Sequence, residues 1–163
     1  MKLSLINKPL IRVKKSIIQG RGVFAARRIR KGQRVIEYTG EIIDQAEEDR
    51  RGYDDSAMSR HHTFLFKIDD EYTIDATHRG SIARYINHSC DPNCEAVWED
   101  SRIFIEAIRN IQPGVELCYD YAFEHEGRLT EEDKALYFCR CGSKKCRGTI
   151  LKPKRRRKKH RNK

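Results

Sequence analysis

Residues 84–94 read RYINHSCDPNC and residues 116–121 read ELCYDY, and these two stretches are the most informative in the sequence. The first predicts a brief helix around residues 81–86 that runs into a loop, because Asp, Pro and Asn favour turns. The second predicts a strand. Taken singly, the notable side chains of both stretches have ordinary explanations as loop, turn or half-buried strand residues: Asn87, His88, Tyr119 and Tyr121.

Short strand-like segments separated by turn signals occupy much of the remaining chain. The turn or bend signals lie within or between apolar, β-branched runs at three places: Gly40, Asp69-Asp70 and Asp100-Ser101. A helix is predicted from Asp44 to Arg51, with Gly52 ending it, and Trp98 is predicted to lie in a sheet core. Many short strands with few helices predict a β-dominated α+β fold. No glycine-rich dinucleotide-binding fingerprint follows a strand, which disfavours that class.

Three cysteines lie close together near the end of the chain, in the sequence CRCGSKKC. Cys139, Cys141 and Cys146 have the spacing C-x-C-x4-C, and three thiolates this close can share one Zn²⁺. A structural site needs a fourth ligand, for which Cys90 and Cys94 are the candidates. The alternative is that the thiols are incidental.

The charge is divided unevenly along the 163 residues, whose net charge is +10. Residues 1–36 and 152–163 are basic and contain no Asp or Glu, whereas residues 37–151 hold all 24 acidic side chains. Length and composition predict one main domain. No apolar run is long enough to span a bilayer and no leader is recognisable, so we expect an intracellular protein with reduced cysteines and no membrane partner.

Five motifs occur in order: QGRGVF at 19–24, EYTGE at 37–41, RYINHSCDPN at 84–93, ELCYDY at 116–121 and the cysteine motif. Together they resemble the SET-domain protein lysine methyltransferases with a post-SET zinc knuckle, over roughly residues 10–151. The resemblance implies the SET fold: small curved sheets (a β-clip) around a C-terminal pseudoknot, with a post-SET zinc site. It also implies a near-minimal, stand-alone unit.

The resemblance implies two ligands and assigns residues to them. S-adenosylmethionine, the co-substrate, would be held by a set of residues from four segments: Gln19, Gly20, Arg21, Phe64, Asn87, His88 and Ile150. One structural Zn²⁺ would be held by Cys90, Cys139, Cys141 and Cys146. Phe64 stands where relatives often have Tyr, and the loss of that hydroxyl would weaken the contacts with the cofactor.

The resemblance also assigns the catalytic tyrosines. Tyr121 matches the catalytic tyrosine, Tyr38 would form part of the lysine channel, and Tyr119 occupies the position that limits how many methyl groups fit. A tyrosine there favours mono- or dimethylation. The expected substrate is a histone or histone-like basic protein, to which the acidic residues 37–151 would be complementary.

The expected organisation has five parts: an N-terminal extension (1–9), the SET domain (10–123), a variable linker (124–138), the zinc knuckle (139–151) and a disordered basic tail (152–163). The tail could contact DNA or chromatin, act as an import signal, solubilise the chain, or itself offer lysines for methylation. The alternative function is a catalytically silent SET and zinc module that binds nucleic acid through its basic ends. The location would be nucleus and chromatin in a eukaryote or for a host-directed effector, and cytoplasm or nucleoid in a bacterium. The sequence leaves the oligomeric state open.

Overall fold

The computed structural model describes residues 9–57, 64–125 and 127–153, with only the backbone of 52–57. Nearly all of the predicted N-terminal extension and basic tail lies outside these residues. The described chain forms ten short strands: β1 (Ile11–Lys15), β2 (Arg21–Ala25), β3 (Arg34–Tyr38), β4 (Glu41–Asp44), β5 (Leu65–Lys67), β6 (Tyr72–Asp75), β7 (Asn87–His88), β8 (Cys94–Glu99), β9 (Arg102–Ala107) and β10 (Cys118–Tyr119). Its helices are α1 (Gln45–Ala57), α2 (Glu131–Leu136) and one 3-10 turn (Ile82–Tyr85).

The strands form four small sheets. Three are antiparallel, with orders β1-β2, β3-β9-β8 and β4-β6-β5, and the fourth is the two-stranded pair β10-β7. The turns expected at Asp69-Asp70 and Asp100-Ser101 are confirmed, since β5 pairs with β6 around the first and β8 pairs with β9 around the second. Residues 33–43 form two strands separated at Gly40, where a side-chain carbon would overlap the backbone carbonyl of Asp75. The β-dominated α+β prediction is therefore confirmed.

β7 and β10 run parallel, which brings residues 84–94 and 116–121 side by side. Asn87 is opposite Cys118 and His88 is opposite Tyr119. Asn93 also holds the two segments together. Its side chain donates to the Glu116 carbonyl at 2.8 Å and accepts from the Cys118 amide at 2.9 Å. This pairing places the C-terminal strand alongside the NHSC loop.

The core lies where the sheets meet. Its largest fully buried side chains are aliphatic and come from strands and loops alike: Val23, Ile29, Ile86, Ile103, Ile105, Ile111 and Leu117. A short bridge between Ile29 and Ile111 ties the segment after β2 to the segment after β9. The sheets are small, and this shared core fixes their relative positions.

Two sequence predictions about local structure are wrong. Asp44 does cap α1, because its carboxylate accepts the Glu47 amide at 2.9 Å, but the helix continues through Gly52 to Ala57. An interior glycine costs only about 1 kcal/mol, and Arg51 just before it is held by Glu41, Glu47 and Asp75. Trp98 is 53% exposed rather than buried in a sheet core.

The segment predicted as a linker contains α2. Thr130 and Asp133 form a reciprocal capping box at its first turn. Among the described residues, neither helix has the length and apolar character needed to cross a membrane.

Candidate active site and metal centre

A cavity of about 1300 Å³ lies between the β1–β2 turn, β5, the β7–β10 pair and the C-terminal segment. It is bordered by every side chain that the sequence analysis assigned to the co-substrate or to catalysis: Gln19, Gly20, Arg21, Tyr38, Phe64, Asn87, His88, Tyr119, Tyr121 and Ile150. These residues come from segments far apart in sequence. The fold therefore brings all of them to one cavity.

Tyr121 is fixed at both its backbone and its side chain. Its amide donates to His88 Nδ1 at 3.1 Å, and its hydroxyl donates to the Ile86 carbonyl at 2.8 Å. Burial raises the pKa of this phenol above its usual value, so the hydroxyl stays protonated. Because its hydrogen is given to Ile86, the phenol oxygen can act as an acceptor toward the cavity.

His88 is neutral and has a defined tautomer. Its Nδ1 accepts the Tyr121 amide, so the hydrogen is on Nε2, which lies 3.3 Å from Cys90 Sγ. Burial lowers the pKa of His88 to about 4 in spite of the nearby Asp120 carboxylate. The 3.5 Å approach of Asp120 to Nδ1 is consequently not an ion pair. His88 therefore contacts both Tyr121 and Cys90.

Asn87 holds the turn that carries Gln19, Gly20 and Arg21. Its amide nitrogen lies 3.3 Å from the Gln19 carbonyl, 3.0 Å from the Arg21 carbonyl and 2.8 Å from Glu116 Oε1. Gly20 has φ of +44°, in the left-handed region that glycine adopts most readily. The turn is thus shaped by a glycine and anchored by a buried amide.

Aromatic rings form one wall of the cavity. Tyr119 and Tyr121 have ring centroids 4.9 Å apart, and Phe66 stacks on Tyr119 at 5.8 Å. Tyr38 meets Phe66 edge-on at 5.0 Å and donates its hydroxyl to the Phe64 carbonyl at 2.9 Å. A wall of this kind suits an extended alkyl chain and excludes water from its surroundings.

Sequence reasoning missed two members of this wall. Phe66 was not singled out, although Phe64, Phe66 and Ile68 alternate along one strand and so indicate a common face. Trp98 was assigned to the core, yet its ring lies 5.6 Å from Phe66 and its indole N–H donates to the Lys67 carbonyl at 3.1 Å. Both residues border the cavity.

Four cysteine sulfurs converge beside the cavity. The Sγ atoms of Cys90, Cys139, Cys141 and Cys146 all lie within 4.8 Å of one another. Zn²⁺ bonds to sulfur at about 2.3 Å, so a tetrahedral site needs sulfur atoms about 3.8 Å apart, and Cys90 and Cys139 are separated by 3.6 Å. The donor set and its spacing therefore fit zinc.

The surroundings of the sulfurs also suit a metal. Backbone amides of Arg147, Cys141 and Gly148 donate to cluster sulfurs at 3.3–3.4 Å. Burial opposes ionisation of Cys141, but hydrogen bonds from amides and neighbouring thiols outweigh it and lower its pKa to about 6. Burial shifts the pKa of the more buried Cys139 in the opposite direction.

The structure distinguishes between Cys90 and Cys94, the two candidates for the fourth ligand. Cys90 belongs to the cluster, whereas Cys94 begins β8, is fully buried and pairs opposite Ala107. Burial raises the pKa of Cys94 to about 12, as expected of a thiol in a core.

Comparisons with known proteins agree with this geometry. The model of the SET domain family matches residues 20–122. Trithorax of Drosophila virilis, named a histone-lysine N-methyltransferase, is 42% identical over 146 residues, which is 86% of this chain and 4% of that protein. Histone-lysine N-methyltransferase mes-4 of Caenorhabditis elegans is 37% identical over 89% of this chain, and histone-lysine N-methyltransferase 2B of Homo sapiens is 39% identical over the same share.

The chain spans only 4%, 17% and 5% of these three relatives' lengths. The matched region includes the NHSC loop, residues 119–121 (YDY) and Gly20, which border the cavity described above. The chain therefore belongs to the SET-domain family.

Proposed function

We propose that this protein is a protein-lysine N-methyltransferase that transfers a methyl group from S-adenosylmethionine to a lysine side chain. The observation that carries the proposal is the meeting of four residues at a single cavity: Asn87 and His88 on β7, Tyr119 on the paired strand β10, and Tyr121 two residues further on, whose amide donates to His88. The family membership supports the same reaction class.

The co-substrate would lie at the end of the cavity formed by the turn 19–21, Phe64, Asn87, His88 and Ile150. Bound there, S-adenosylmethionine supplies an electrophilic methyl group on a positively charged sulfur. Backbone carbonyls and amides of the turn would orient its methionine part. Ile150 is placed by its amide, which donates to the Tyr137 carbonyl at 2.9 Å, and would cover the adenine.

The lysine would enter along the aromatic wall of Tyr38, Phe66 and Tyr119. Free lysine has a pKa of about 10.4, so the amine must lose its proton before it can attack. A dry aromatic channel and a nearby sulfonium both favour the neutral amine. The oxygen of Tyr121 would accept a hydrogen bond from the amine and so align it for in-line attack, and alignment of this kind can supply several kcal/mol of the barrier.

The cysteine cluster would hold one structural Zn²⁺. In that position the metal joins Cys90, two residues after His88, to residues 139–146 and thereby fixes the segment carrying Ile150. The zinc would act on cofactor binding through position, and no chemical step requires it.

The expected substrate is a lysine in a histone or histone-like basic protein. The relatives above are named histone-lysine N-methyltransferases, and the acidic residues of 37–151 would favour encounter with a basic partner. Tyr119 favours mono- or dimethylation, because its hydroxyl occupies space that a third methyl group would need.

The test is intact-mass analysis of core histones, and of a bacterial histone-like protein, after incubation with the enzyme and S-adenosylmethionine. Increments of one methyl mass on a basic partner are expected. Tyr121→Phe should bind S-adenosylmethionine normally, by calorimetry, but lose on the order of 10²-fold or more in rate.

Tyr72→Phe is the matched control, because Tyr72 is exposed on β6 and does not border the cavity. It should retain the full rate. Equal rates for Tyr121→Phe and the unaltered protein, or absence of S-adenosylmethionine binding by the unaltered protein, would contradict the proposal.

A further inference from the structure

A second charged feature lies on the β1–β2 hairpin and the segment that follows it. Seven basic side chains are exposed there, and we name them together the basic face: Arg12, Lys14, Lys15, Arg27, Arg28, Arg30 and Lys31. The hairpin register and the Ala26 to Leu10 backbone hydrogen bond of 2.9 Å keep the two parts adjacent. These seven residues are thus exposed on adjacent segments of the folded domain, and none of them belongs to the tail.

The basic face has no acidic partner within the described chain. Elsewhere in the described residues, arginines and lysines are commonly ion-paired, as in Arg34 with Glu99 and Arg102 with Glu37. No salt bridge among the described residues involves any of the seven. Within the described chain, the charged group of Lys14 makes a cation–π contact, with Nζ 5.6 Å from the Phe24 ring centroid.

The local sequence makes this positive charge unfavourable within the free protein. Lys15 and Arg21 are directly opposite each other on paired strands, and like charges in that relation destabilise a sheet. Arg12 and Lys14 lie on the same side of β1, about 6.6 Å apart at the rise of a strand. An external polyanion would relieve these repulsions.

The basic face is also separate from the candidate active site, since none of its seven residues borders the cavity. An occupant of this surface could therefore remain bound while a lysine occupies the channel. Loss of these charges should leave the chemistry of the cavity unchanged.

We propose that the basic face docks double-stranded DNA through its phosphate backbone, without reading base sequence. Duplex DNA presents one negative charge about every 1.7 Å of its axis, and seven exposed cationic side chains on adjacent segments are complementary to it in charge. Four of the seven residues are arginines, whose planar guanidinium groups pair well with phosphate oxygens. The proposal concerns a different surface from the methyl-transfer site and stands independently of that reaction.

The experiment measures binding of the full chain to a 30-base-pair duplex of random sequence, by fluorescence anisotropy across a series of salt concentrations. The test variant is Arg27→Gln/Arg28→Gln/Arg30→Gln. The matched control is Arg79→Gln/Arg128→Gln/Lys134→Gln, which removes the same charge from exposed positions elsewhere. A third variant, Arg155→Gln/Arg156→Gln/Arg157→Gln, removes the same charge from the tail.

The test variant should bind DNA at least about tenfold more weakly near 0.1 M salt, and the slope of log Kd against log salt should fall by about 2 to 3. The control should change much less. Equal losses in the test and control variants would overturn the proposal in favour of net charge alone. Loss confined to the tail variant, or no DNA binding by the unaltered protein, would overturn it too.

Discussion

Arg147 holds Asp120 through two parallel hydrogen bonds, each of 2.8 Å, from Nη1 and Nη2 to the two carboxylate oxygens. Asp120 stands between Tyr119 and Tyr121, and Arg147 directly follows Cys146. The Arg147 amide also donates to Cys90 Sγ at 3.3 Å. This one pair therefore ties the cysteine cluster to the segment 119–121, which carries both tyrosines, and nothing in the sequence spacing pointed to it.

We expect Asp120 and Arg147 to be energetically coupled. Their side chains are only 30% and 23% exposed, and a bidentate geometry is the strongest form of this contact. Asp120→Asn and Arg147→Gln should each lower the free energy of unfolding by about 1–2 kcal/mol, and the double variant should lose about 1 kcal/mol less than their sum. Chemical denaturation of the four proteins measures this.

The control for this cycle is Lys145→Gln. Lys145 pairs with Asp91 at 3.2 Å but is 75% exposed, so its loss should change stability by at most about 0.5 kcal/mol. Strict additivity of the Asp120 and Arg147 substitutions would show that the pair is not coupled.

Replacing Tyr119 with Phe should shift the product toward trimethyl-lysine. The substitution removes one hydroxyl from the channel wall while keeping the ring that stacks on Phe66. Mass spectrometry of a methylated peptide over time gives the distribution of mono-, di- and trimethylated products. Tyr38→Phe, which removes the hydroxyl bonded to the Phe64 carbonyl, serves as the comparison, and an unchanged distribution for Tyr119→Phe would remove that residue from its proposed role.

Cys141→Ser should abolish the proposed zinc binding and lower the thermal midpoint of unfolding, since the donor set would lose one of its four sulfurs. Elemental analysis should find about one zinc per chain before the substitution and much less after it. Cys118→Ala is the matched control: burial raises the pKa of that thiol to about 12, and it lies in β10 outside the cluster. A full zinc content in Cys141→Ser would contradict the assignment.

Stability should fall as the solution becomes acidic, through the carboxylates around Arg51. Hydrogen bonds from Arg50 and Arg51 lower the pKa of Glu47 to about 2. Burial raises the pKa of Asp75, but hydrogen bonds from Thr77 and Arg51 outweigh it and leave that pKa below its usual value. A carboxylate with a lowered folded pKa stabilises the fold above its unfolded pKa of about 4, and this contribution is lost as pH falls toward 2.

Asp75→Asn should therefore destabilise the protein at pH 6, on the order of 2 kcal/mol, and the difference should shrink by pH 2.5. Denaturant unfolding at both pH values measures it. Glu132→Gln, at an exposed position of α2, is the control and should change stability at pH 6 much less than Asp75→Asn does. A constant difference for Asp75→Asn across this range would mean that its charge is not what stabilises the fold.

The sequence predicted those parts of the structure that depend on neighbouring residues. Turn residues at Asp69-Asp70 and Asp100-Ser101 located both hairpins, since the strands they join are adjacent in the chain. The predicted end of α1 was wrong because local sequence does not show the contacts of Arg51 with Glu41 in β4 and Asp75 in β6. These contacts stabilise the helix, which continues past Gly52. Trp98 was misplaced because alternation along a strand shows which residues share a face, but not whether that face meets a core or a cavity.

The site residues came from ordered motifs and not from physical pattern alone. Asn87, His88, Tyr119 and Tyr121 are individually unremarkable, and their common location depends on β7 pairing with β10. Spacing alone left Cys90 and Cys94 equivalent as a fourth ligand. The folded positions of the sulfurs distinguish them, since Cys94 is committed to β8.

The parallel pairing of β7 with β10 also has a consequence for the order in which the molecule assembles. Antiparallel hairpins can form as soon as their two strands exist, whereas this pair must wait for a strand that lies well downstream, and such non-local contacts form slowly. The cavity is therefore completed only after residues 118–119 pair with residues 87–88. A folding chain can already have its hairpins while the cavity is still incomplete.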